Sequence, residues 1–193
     1  MLDAVGLNAW MNEHYRGEGA EAFRLETRQV YEVGTDGSDF QRWLAGEQEP
    51  TWERKQAWFE ALDRERVEGR RRLHVRIVTR PITSYTGYEC TWGYALNREH
   101  GQAVRVLDVG ERNLPGGLPS PVRDDWWLVT DADGAHHVLL MRYNEHDQFL
   151  GAERPQTPLQ EFVVVRDVLW EAAEDFESWY ARHPELHRPP VAA

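Results

Sequence analysis

The chain has 193 residues, 41% of them apolar, and carries 33 acidic against 22 basic side chains for a formal charge of −11. That length suits one domain with a real core, and the charge repels phosphate backbones, so direct nucleic-acid binding is excluded as a first reading. A single cysteine, Cys90, excludes an intrachain disulfide framework and a zinc site built on several thiolates; no apolar run reaches the ~18 residues of a membrane span, Met1 to Tyr15 lacks a signal-peptide pattern, and the expected address is the cytoplasm.

Residues 1–20 read as a peripheral segment with a short helix around Leu7 to Tyr15. Phe23 to Val33 reads as a strand because Phe23, Leu25 and Thr27 alternate with Arg24, Glu26 and Arg28, and Gly34-Thr35-Asp36-Gly37 supplies the turn that closes it. Ser38 with Gln41 forms a capping-box pattern for a short helix ending at Gly46, with Phe40, Trp43 and Leu44 on one face. A second helix starts after Pro50 and Thr51, carries Trp52, Trp58, Phe59 and Leu62 on its apolar side and stops at Gly69.

Leu73, Val75 and Ile77 alternate with His74 and Arg76, which predicts a strand over residues 71–79, ended by Pro81. Thr83 or Ser84 caps a helix that runs to about Arg98, Gly101 resets the chain, and Ala103 to Val109 reads as the next strand. Two strands joined by a helix lie parallel through a right-handed crossover. The Pro- and Gly-rich segment from Glu111 to Arg123 reads as a loop or lid, and Trp126 to Thr130 pairs with His136 to Tyr143 across Asp131-Ala132-Asp133-Gly134 as a hairpin. An edge strand surrounds Phe149. A long helix begins at Thr157-Pro158 and continues to Tyr180 on the spacing of Phe162, Val165, Leu169, Ala172, Ala173, Phe176 and Trp179; residues 184–193 read as a flexible tail. The expected architecture is one α/β (or α+β) domain over residues 1–183: a mixed sheet with a central parallel β-α-β unit, an antiparallel hairpin and a long C-terminal helix.

Nine Trp, seven Tyr and six Phe exceed what one small core needs, so some are expected to line a pocket or an interface. Helical spacing places Tyr85, Glu89, Trp92 and Leu96 on one face with Tyr88 adjoining, so Glu89 falls in an aromatic stripe, where a carboxylate must be paired or protonated. Arg76 and Arg105 on the flanking strands are its expected partners, and a Glu–Arg pair that fixes helix to sheet is the favoured reading over acid/base chemistry. Asp108, Asp124, Asp125 and Asp131 stand near strand ends, where a hard metal is conceivable, but Asp in turns usually serves capping and solvation. His136 and His137 are adjacent on a strand and face opposite ways, and His74, His100 and His146 are isolated in sequence, so no metal site is assigned. Cys90 lacks a sequence-local histidine and reads as a small apolar residue. No phosphate-binding or dinucleotide glycine motif occurs, Lys55 is the single lysine, and no cofactor is expected.

The ordered motifs Arg76-Ile77-Val78, Ser84-Tyr85, Tyr88-Glu89, Trp92, Gly101, Val104-Arg105-Val106-Leu107, Asp124-Asp125-Trp126-Trp127-Leu128, Met141-Arg142-Tyr143 and Phe149-Leu150-Gly151-Ala152-Glu153 resemble an uncharacterised family of small actinomycete proteins over residues 22–180. That resemblance implies a gene neighbourhood with helix-turn-helix regulators and a role in a regulatory or toxin–antitoxin-like circuit, and it transfers no catalytic residue. The order of elements is also similar to phospholipase-D-like domains, whose His-x-Lys pair this chain lacks.

The leading expectation is a non-enzymatic regulatory module that binds a small ligand, a helix-turn-helix regulator or other basic protein, through Arg76, Tyr85, Tyr88, Glu89, Trp92, Arg105, Asp125 and Trp127. The alternatives are a small hydrolase or toxin that uses Glu89 with Arg76 or Arg105, and an oligomeric interaction protein.

Overall fold

The computed structural model describes residues 1–32 and 38–187, so the turn expected at residues 34–37 and the tail residues 188–193 lie outside the described residues. Its frame is a seven-stranded mixed sheet. In chain order the strands are β1 (Glu21–Glu26), β2 (Arg71–Val78), β3 (Ala103–Asp108), β4 (Trp126–Thr130), β5 (His136–Tyr143), β6 (Phe149–Glu153) and β7 (Glu174–Asp175), and in space they run β6-β5-β4-β1-β2-β3-β7. β1, β2 and β3 are parallel, and every other pairing is antiparallel. The expected mixed sheet with its central parallel unit and hairpin is what the chain forms.

The helices are α1 (Ala4–His14), α2 (Asp39–Leu44), α3 (Trp52–Val67), α4 (Ser84–Tyr88), α5 (Ala95–Glu99), α6 (Leu159–Ala172) and α7 (Phe176–Ala181), with a π-helical turn over Glu89–Tyr94 joining α4 to α5. Because alternate residues of a strand face opposite ways, the sheet divides its side chains between two layers. On one face Phe23, Leu25, Val75, Ile77, Leu107, Trp126, Leu128 and Leu140 pack against Phe162, Val165 and Leu169 of α6. On the other, α1 covers the hairpin side through Trp10 and Tyr15 against Ala22, Val129 and Leu139. Cys90, Tyr94, Phe176 and Trp179 cover Val78, Val104 and Val106 at the opposite end. Between these two apolar flanks the central strands present Arg24, Glu26, His74 and Arg76.

Several expectations are corrected. The N-terminal segment is not peripheral: Leu2 exchanges backbone hydrogen bonds with Ala152, and Trp10 and Tyr15 are buried. The first strand ends at Glu26 rather than Val33, because the following backbone turns away so that the Thr27 N–H reaches Asp125 Oδ1 at 2.7 Å. Ser38 and Pro158 stand at helix starts without side-chain capping bonds, and Trp52 and Trp58, expected on an apolar face, keep 47% and 36% of their surface exposed. The long C-terminal helix breaks at Ala173, which is extended (φ −74°, ψ 142°), so that Glu174 and Asp175 can pair with Val106 and Arg105 at the sheet edge. Pro184–Leu186, expected in the tail, form a single 3-10 turn, and Leu186 is buried against the α7 side of the core.

Candidate functional site

A cleft of about 430 Å³ opens over the polar centre of the sheet, between α3 and the α4–π–α5 helix. Its floor is Arg24, Glu26, His74, Glu89 and Tyr94; its walls include Trp58, Tyr88 and Trp127, and Arg54, Lys55, Asp39, Asn97 and Gln102 complete the lining. Strand register explains the floor. Arg24 lies beside His74 on one side and Trp127 on the other, and Glu26 lies beside Arg76, so all five side chains share one face.

Glu26 is the hub. Its Oε2 accepts from Tyr94 OH at 2.8 Å, lies 3.0 Å from His74 Nε2 and 3.5 Å from Arg76 Nη1, while its Oε1 accepts from Arg24 Nε at 3.3 Å. Burial alone would raise this carboxyl, but His74, Arg24 and Arg76 outweigh it and hold Glu26 well below the ordinary carboxylate range. Gln102 Nε2 stands 3.4 Å from His74 Nδ1, which suits a His74 that keeps its proton on Nε2 toward Glu26.

Arg76 is fully buried and lies 3.1 Å from Glu89 Oε2, with its guanidinium over the Tyr31 ring at 5.1 Å. Behind it, Asp125 accepts from Thr27 and, at 2.6 Å, from Tyr31 OH, and sits 3.8 Å from Arg24 Nη2.

The π turn sets the geometry of the helix above. An i→i+5 turn inserts one residue into the helical ladder, so Glu89 shares its face with Tyr94 rather than with Gly93. Tyr94 OH donates to Glu89 Oε2 at 3.3 Å and to Glu26, linking helix to sheet, and burial pushes its hydroxyl well above the ordinary tyrosine range. A Cβ at Gly93 would meet only the Glu89 Cβ, at 3.9 Å, so the glycine leaves that part of the cleft wall open.

The residues singled out from sequence divide. Arg76, Glu89, Tyr88, Asp125 and Trp127 gather at or beneath the cleft. Tyr85 and Trp92 pack instead with Tyr31, Trp43 and Tyr88 in an aromatic layer against α2, so Glu89 stands at the edge of the stripe rather than within it. Arg105 is not a partner of Glu89. It shares the opposite sheet face with Val75, stacks over Trp170 at 4.6 Å and donates to the Trp170 carbonyl. The aspartates disperse: Asp124 faces Arg142, Asp131 accepts from its own hairpin and from His137, and Asp108 terminates β3.

Cys90 is buried and its thiol is pushed up by that burial and by Glu89, which fits the apolar reading. Sequence reasoning missed Arg24, Glu26, His74 and Tyr94. A signal existed: strands of a parallel unit are covered on both faces, so the alternating charges of β1 and β2 had to be buried and paired.

Among the described residues no helix is long and apolar enough to cross a membrane. A family described as a domain of unknown function (DUF6879) matches residues 9–181. No curated protein and no solved structure matches the chain.

Proposed function

The chain belongs to this family of unknown function, and we propose that it is a non-enzymatic binding module whose cleft takes a small zwitterionic metabolite with a planar or aliphatic body. The observation that carries the reading is the polarity of the cleft along its depth. Glu26 and Glu89 at its depth favour a cationic or donor group, while Arg54 and Lys55 of α3 bring positive charge nearer the rim, where a carboxylate or phosphate would lie. Trp58, Tyr88 and Trp127 supply the apolar sides that such pockets use to hold the body of a ligand. Glu26 and Arg76 are tied into a closed network of charge-assisted contacts, which supports orientation of a ligand more directly than proton transfer.

The module would report occupancy to a basic protein partner, with the −11 charge of the chain supplying the complementary field. The test is native mass spectrometry of the protein from its own cells, followed by tryptophan fluorescence titration with amino acids and phosphorylated amines. A retained or titratable zwitterion whose binding is lost in Trp127→Ala and weakened in Gly93→Ala supports the reading. Failure of the whole panel to bind, or binding indifferent to both substitutions, overturns it.

A further inference from the structure

A second cluster lies at the carboxyl end of β3, on the far side of the apolar flank from the cleft. Asp108, Glu111 and His183 each bring one potential ligand atom to within 4.8 Å of the others. Asp108 and His183 are both more than nine-tenths buried, and the Gly110 N–H fixes Asp108 Oδ1 at 2.9 Å. His183 Nδ1 lies 3.0 Å from Glu185 Oε1, and its ring packs on Trp179. Its Nε2 is buried and lies 3.1 Å from Glu111 Oε1, within ion-pair range but without hydrogen-bond geometry. An imidazole that donates from Nδ1 to a carboxylate presents a lone pair at Nε2. On a neutral His183 that lone pair faces Glu111, so a cation held there meets both ligands.

Arg80 already pairs with the two carboxylates in this structure. Its Nη2 lies 2.6 Å from Asp108 Oδ2 and 3.5 Å from Glu111 Oε1. The side chain is 38% exposed and follows the end of β2, on the water side of the cluster. Trp179 Nε1 also donates to Asp108 Oδ2 at 3.2 Å, and Arg182 holds Glu111 Oε2 at 3.1 Å. These contacts fix the orientation of both carboxylates.

We propose that Asp108, Glu111 and His183 bind a divalent first-row transition ion in exchange for the Arg80 guanidinium. Two carboxylate oxygens and one imidazole nitrogen suit ions of the manganese, cobalt and zinc kind better than calcium or magnesium, which favour oxygen alone. Glu185 stands behind His183 as the carboxylate that fixes its tautomer.

The test uses the untagged full chain, titrated with Co²⁺ by visible absorption and with Zn²⁺ by calorimetry. A single saturable event is expected that disappears in His183→Gln and in Glu111→Gln, while far-UV dichroism and the melting temperature without metal stay close to wild type. Glu185→Gln should weaken binding by about 10- to 100-fold, and Arg80→Met should tighten it by roughly tenfold, equivalent to one charge contact removed from competition. If neither wild type nor Arg80→Met takes up either ion saturably, Arg80 is the permanent cation of the cluster and the proposal fails. Binding that survives His183→Gln and Glu111→Gln would also overturn it, by placing the ion elsewhere, such as the stacked His14–His137 pair.

Discussion

β1 and β2 build two unlike layers from the same residues. Toward α6 they send Phe23, Leu25, Val75 and Ile77, which need only shape to be satisfied; toward the π turn they send Arg24, Glu26, His74 and Arg76, each of which needs a particular partner at a particular distance. The apolar face tolerates neighbours of similar volume. The charged face does not, because a buried ion left without its partner costs more than the pair contributed. The same two strands therefore hold the fold on one side and a specific site on the other.

The sharpest way to break that comparison is to damage each face in turn. Phe162 is fully buried and meets the Trp126 ring edge-on, with centroids 5.4 Å apart. Phe162→Ala should cost about 3–5 kcal/mol in urea unfolding and leave the polar network intact in any molecule that remains folded. Arg76→Met should cost about 3 kcal/mol, near the lower end for breaking a buried pair, because Glu26 and Glu89 lose a shared cation. Adding Glu89→Gln to Arg76→Met should recover part of the loss, giving a coupling energy in a double-mutant cycle. An Arg76→Met cost below about 1 kcal/mol with no coupling would show that the charged face behaves like an ordinary solvated surface.

A smaller effect separates the faces by pH. Glu26 has a folded-state pKa held below its ordinary value of 4.5, so its contribution is fully present above about pH 4.5 and disappears as pH falls through the lower folded value. Glu26→Gln should destabilise the protein by about 2 kcal/mol at neutral pH, the scale of a hydrogen bond to a charged group. The gap between wild type and variant should then close on acidification below pH 4.5. Phe162→Ala should show a gap that acid leaves unchanged. Parallel acid limbs for wild type and Glu26→Gln would remove Glu26 from the stability of the charged layer.

The apolar face was the more legible of the two. Alternation in Leu73, Val75 and Ile77, the turn between β4 and β5, and the helical spacing of Phe162, Val165 and Leu169 all express local periodicity, and the β-α-β unit follows from their order. The break at Ala173 carried no Pro or Gly to mark it, because it is fixed by pairing with β3 at the sheet edge, a tertiary effect. The candidate site was misread for two reasons. Arg24 and Glu26 look like a solvated strand face until a helix is laid over them. The 3.6-residue period also fails across the π turn, so it joined Glu89 to Trp92 when the extra residue brings Glu89 to Tyr94. Arg105 was assigned from proximity in topology, and the alternation of β3 places it on the other face.

The smallest expected signal asks whether the two faces open together. Cys90 lies under the π turn, packed with Val78, Val104 and Phe176 on the charged side of the sheet, and its thiol is raised by burial, so little thiolate is present and reagents reach it only when the helix lifts. Under native conditions a disulfide-exchange reagent should label Cys90 at a rate that follows global unfolding, rising as the stability measured by urea falls. The α4–π–α5 helix is tied to the sheet through Tyr94 and Arg76, not only through apolar contact, and these links should make it part of the same cooperative unit as the α6 face. Labelling much faster than global unfolding, and insensitive to Phe162→Ala, would instead mean that the charged layer opens alone. Such a separation would make the helix over the cleft a movable cover, with the α6 face as the fixed half of the molecule.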